Sequence, residues 1–70
     1  MTELVRQAIR DGRQVALVRC FDGDGATIVE YEVGRTGKTG SYRFATAPDA
    51  FRFVQEALLA LQYLGCTIEQ

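Results

Sequence analysis

Two cysteines, a glycine-flanked Lys-Thr pair and two close-set acidic pairs are the residues in this 70-residue chain whose types could do chemistry. Gly37-Lys38-Thr39 matches the tail of a phosphate-binding Walker loop, where backbone amides cradle phosphates, lysine neutralises them and the hydroxyl holds magnesium. That loop needs a further glycine where Glu32 stands and a helix where the pattern here predicts a strand, so the nucleotide assignment is rejected. What survives is weaker. Gly34, Gly37 and Gly40 would leave amides accessible beside the positive Arg35 and Lys38, enough to touch a phosphate or an acidic partner. Solvated hairpin connections are the commoner use of such a loop. Lys38-Thr39-Gly40 also occurs in penicillin-binding enzymes, but their Ser-x-x-Lys is missing.

Asp22-Gly23-Asp24-Gly25 lacks calcium-loop spacing, because Val33 occupies the position of the closing glutamate. It is a turn. Histidine is absent, which removes histidine triads, histidine zinc ligands and the usual neutral-pH base. Cys20 and Cys66 cannot close a tetrahedral zinc site within one chain, and either thiolate would lack an imidazole partner. They are expected as buried free thiols. Glu30 and Glu32 share one strand face with Arg19 and Arg43 nearby, the pattern of a solvated charged stripe. No catalytic residue, metal ligand or cofactor is expected, and the protein is expected not to be an enzyme.

The elements that position these residues are readable from spacing. Leu4, Val5, Ala8 and Ile9 recur at helical intervals, predicting a short amphipathic helix over residues 2–11 that stops near Gly12. Residues 13–21 and 26–33 alternate as strands around the hairpin signal at 22–25, and residues 41–45 supply a third strand after the glycine loop. A long helix runs through residues 46–65. Thr46 can cap it, Pro48 suits its first turn, Asp49 sits at the capping-box position and Gly65 supplies a left-handed stop. Residues 66–69 can form a final short strand. The expected fold is one α+β domain of order α-β-β-β-α-(β), a three- to four-stranded antiparallel meander with the long helix on one face. That order is shared with double-stranded-RNA-binding domains, and sheet-plus-helix dimers occur among single-strand binders. In the former a lysine cluster opens the second helix. Here that helix begins Ala47-Pro48-Asp49 and its first basic residue is Arg52, so only element order is shared.

Alternation assigns the faces. Val29, Tyr31, Val33, Tyr42 and Phe44 point toward the long helix, joined by Ala16, Val18 and Cys20 if the turn centres on Gly23-Asp24 or Asp24-Gly25. Val15, Leu17, Arg19, Phe21, Ile28 and Glu30 then share the other face, where an Arg19, Glu30, Arg43 ladder can run and the apolar groups need cover from the first helix or from another chain. On the long helix, Ala50, Phe51, Phe53, Val54, Ala57, Leu58, Leu61 and Leu64 form the core side. Leu59 and Tyr63 are left among Arg52, Glu56 and glutamines on the opposite side, a patch that a symmetric dimer could bury.

Size and charge bound the function. A domain this short has a thin core unless a second copy extends it. Eight basic against nine acidic residues give a net charge of −1, which lowers the expectation of nucleic acid as a partner. No apolar run approaches a bilayer-spanning length and the first residues do not resemble a secretory signal, so a cytoplasmic protein without membrane contact is expected. The leading expectation is a small interaction module that binds a second copy or another protein through Leu59, Tyr63 and Arg52 or through Leu17, Phe21 and Ile28. The alternative is a nucleic-acid or phosphate contact by Arg35, Lys38, Arg19 and Arg43.

Overall fold

The computed structural model describes residues 3–70. Its first element is a strand, β1 (Leu4–Arg10), and not the helix expected over residues 2–11, whose first two positions lie outside the described residues. The same apolar residues also satisfy a two-residue period, with Leu4, Arg6 and Ala8 on one side and Val5, Gln7 and Ile9 on the other. An isolated helix this short is marginal. Asp11-Gly12 decides the matter, because both residues adopt positive φ, 54° and 73°, as a two-residue type I′ hairpin turn requires. Arg10 therefore lies opposite Arg13, and β1 folds directly onto β2 (Arg13–Gly23).

Asp24-Gly25 makes the second turn, with Gly23 opposite Ala26 at the start of β3 (Ala26–Val33). A glycine-rich loop then leads to β4 (Thr39–Phe44), which begins two residues earlier than expected. Helix α1 (Ala47–Tyr63) starts where the Thr46 hydroxyl accepts the Asp49 amide at 3.4 Å. It ends in paired bonds from Gly65 N to Gln62 O and from Cys66 N to Leu61 O, a Schellman stop that needs the φ of 97° at Gly65. The chain returns as β5 (Thr67–Glu69), antiparallel to β1. The result is a five-stranded antiparallel sheet of order β4-β3-β2-β1-β5 with one helix, and the element order shared with double-stranded-RNA-binding domains does not hold.

The helix touches every strand and packs the central part of its expected face, around Ala50 and Val54, against the sheet. Val18, Cys20 and Val29 on the sheet meet Ala50 and Val54 on α1, with Leu4, Phe44, Phe53 and Leu58 packed around them. Val29 and Cys20 are the largest side chains fully enclosed, so the core is thin. An aromatic row extends it toward the β4 edge: Tyr31 stacks on Tyr42 at 5.9 Å, and Phe53 of α1 meets Tyr42 at 4.9 Å and Phe44 at 5.4 Å.

Tyr31 lies opposite Gly40 and its ring occupies the space that a side chain there would fill. A Cβ at Gly40 must displace the ring and disturb the row behind it. Gly40→Ala is expected to lower unfolding stability by about 1 to 3 kcal/mol, read by urea denaturation. Gly12→Ala, where the added Cβ meets nothing, gives the reference cost of backbone strain alone.

Candidate functional site

Because β1 is a strand, no helix covers the sheet face turned away from α1 among the described residues. Register places Val5 opposite Arg19, Leu17 opposite Glu32, Phe21 opposite Ile28 and Ile28 opposite Arg43 on that face. Leu17, Phe21 and Ile28 stand there as expected, each half-buried by its neighbours, and Val5 joins them. Val5 was missed because the helical assignment removed it from the sheet.

Arg19 is bound into this surface. Its Nε donates to Glu3 at 2.9 Å, its Nη1 donates to Glu30 at 3.4 Å, and its guanidinium lies 5.4 Å over the Phe21 ring. The Glu3 hydrogen bond and charge, with a smaller push from Glu30, raise its pKa above the ordinary arginine value. The expected ladder from Arg19 through Glu30 to Arg43 has only its first rung. Arg43 sits opposite Ile28 and donates instead to the Asp24 carbonyl at 3.0 Å, tying β4 to the second turn. A shallow depression of about 400 Å³ lies on this part of the sheet, lined by Leu17, Arg19, Glu30, Thr39 and Ser41 among others.

On the far side of α1, Leu59 and Tyr63 are 57% and 93% exposed, as the helical wheel requires. Two residues expected in the core are exposed as well, Phe51 at 50% and Leu64 at 62%. Phe51 lies about 100° round the helix from the buried Ala50, past the strip that the sheet can cover. Leu64 is the C-cap, beyond the last helical turn. Arg52 pairs loosely with Asp49 at 3.7 Å, one turn away and in solvent.

At the loop end, the structure corrects the expectation of free amides. Gly34 N donates to Val15 O, Gly37 N to Val33 O, and Lys38 N to the Thr36 hydroxyl, so three amides a phosphate would need are engaged. Arg35 and Lys38 are carried on this loop, away from Arg19 and Arg43 on the sheet face. Arg43, opposite Ile28, and Arg35, two residues past Val33, stand toward opposite ends of β3. Arg35 borders a hollow of about 640 Å³ together with Arg10 and Arg13. Both were legible as neighbours from the Asp11-Gly12 hairpin signal, had it outweighed the helical spacing.

Cys20 and Cys66 are both free and buried. Cys20 lies opposite Leu4 while Thr67, next to Cys66, lies opposite Ile9. That offset along β1 corresponds to about 16 Å, and a disulfide needs Cα atoms within about 7 Å. Among the described residues no cluster of histidine, cysteine, aspartate and glutamate could hold a metal ion, and no helix is long and apolar enough to cross a membrane. No family model, curated protein or solved structure matches the chain.

Burial pushes the Cys20 thiol above its ordinary range, and the Asp22 charge adds to the effect. The folded state therefore favours the protonated thiol, and this contribution to stability is lost as pH rises through the ordinary thiol range and the unfolded chain ionises first. Titration with a chromogenic disulfide reagent at mildly alkaline pH is expected to leave Cys20 unreacted in the native protein and to release it in denaturant.

Proposed function

We propose that the protein is a non-enzymatic interaction module that self-associates, and that two copies meet through the sheet faces turned away from α1. The observation that carries this reading is the uncovered face itself, with Val5, Leu17, Phe21 and Ile28 arranged around the Arg19 ion pairs. Alternating apolar residues on an open sheet face are the pattern expected of a surface that packs against another layer. Size favours this face over the helix row. The 35 strand residues, at about 3.3 Å per residue and about 4.8 Å between strands, make a face of about 550 Å². The exposed side of α1, about 25 Å long and about 10 Å across, offers less than half of that.

A two-fold axis through the face would bring the same residues together from both copies, so the apolar groups would be shared and the Arg19 clusters would meet or flank one another. Such a dimer would supply the second hydrophobic layer that a chain with only small buried side chains lacks. The Leu59 and Tyr63 row would stay outside this contact, available to a different protein. Nucleic-acid binding by Arg35, Lys38, Arg19 and Arg43 is supported less well, because Arg19 is engaged by two carboxylates and Arg43 by a carbonyl.

Light scattering behind size exclusion tests the reading on the wild type, Phe21→Asp and Leu59→Asp. The expected masses are a dimer for the wild type and Leu59→Asp and a monomer for Phe21→Asp, each with unchanged circular dichroism. A monomeric wild type across the concentration series sinks the proposal, and loss of the dimer only in Leu59→Asp moves the contact to the helix.

A further inference from the structure

Three arginines gather where the chain reverses direction at one end of the sheet. Arg10 and Arg13 flank the first turn and stand directly opposite each other. Like charges in that register repel. Elsewhere Arg6 and Arg43 donate to the Val5 and Asp24 carbonyls, and two arginines pair with carboxylates, Arg19 with Glu3 and Glu30 and Arg52 with Asp49. Arg10, Arg13 and Arg35 have no such pair among the described residues. Asp11 also lines the hollow but bonds none of them.

The Arg10 side chain and the backbone beside Arg35 are held in place despite the repulsion. Arg10 Nη1 donates to the Leu64 carbonyl at 3.2 Å, which anchors its guanidinium at the negative end of α1 and leaves further N–H groups free. Beside Arg35, Gly34 N donates to Val15 O at 2.8 Å, and Gly34 lies so close to the Gln14 carbonyl that no side chain fits. Val15 is the extra residue where the pairing jumps from Ala8–Ala16 to Ile9–Gln14, a bulge that re-aims the end of β2. Bulge and glycine together pin the Arg35 loop against the first hairpin.

Between them lies the hollow of about 640 Å³, within the range of small-molecule sites. Its lining has no aromatic ring on which a base could stack. Guanidinium groups present planar, paired donors that match phosphate oxygens, and they stay charged at any working pH. We propose that this hollow binds a phosphorylated small molecule, whose anionic groups are held by Arg10, Arg13 and Arg35 and offset their mutual repulsion.

Calorimetric titration with pyrophosphate at low salt tests the site, with Arg13→Gln, Arg35→Gln and, as a control on α1, Arg52→Gln. The expected result is millimolar or tighter binding by the wild type, weakened about tenfold or more in the first two variants and unchanged in the third. Circular dichroism of all four proteins establishes that the fold is retained. No binding by the wild type, or an equal loss in Arg52→Gln, overturns the proposal. Tighter capture of a short oligothymidylate than of pyrophosphate, dependent on Arg13 and Arg35, also overturns it and assigns the arginines to a nucleic-acid backbone.

Discussion

One helix about 10 Å across lies on five strands spaced about 4.8 Å apart, so the covering layer is about half as wide as what it covers. Everything buried follows from where that strip falls. It lies over the middle of the sheet, where Val18, Cys20 and Val29 present small side chains and Ala50 and Val54 answer with equally small ones. Small residues let helix and sheet approach closely. They also limit how much apolar surface each contact removes from water. The aromatic row from Tyr31 through Tyr42 and Phe53 to Phe44 compensates toward β4, where bulk bridges the gap that the narrow helix leaves.

The same mismatch leaves one sheet face without a layer. Hairpins of two-residue turns hold the strands in register locally, and the short β5 ties the end of α1 back to β1. None of this depends on cover. The outer face is therefore well formed yet half-dry, with Arg19 paired to Glu3 and Glu30 among its apolar groups. Polar work is concentrated elsewhere, at the end of the sheet, where the bulge at Val15 and the close approach at Gly34 set three arginines around one hollow. The proposed partner surface and the proposed anion site occupy separate parts of one small fold.

Much of this was legible in the residues. Thr46, Pro48, Asp49 and Gly65 mark α1 to within one or two positions, and the 26–33 strand stands where alternation put it. Face parity in β2 and β3 followed correctly from the second turn. The first segment did not, because Leu4, Val5, Ala8 and Ile9 satisfy both periods and seven residues are too few for periodicity to choose. The Asp11-Gly12 turn carried the missing information in its backbone requirement, not in hydrophobic pattern. That single error hid Val5, supplied a spurious cover for the outer face and separated Arg10 from Arg13. Phe51 and Leu64 were assigned to the core because a helical wheel shows direction but not the width of the sheet beneath it. The engagement of the loop amides could not be read from glycine spacing, since it depends on Val15 arriving from another strand.

The most direct test of the central claim, that the outer sheet face is covered by a second copy, is an isotope-filtered NOE experiment on a mixture of labelled and unlabelled protein. The claim predicts intermolecular contacts from the Leu17 and Ile28 methyl groups to the Phe21 ring. Intermolecular contacts confined to Leu59 and Tyr63, or none at millimolar concentration, would contradict it.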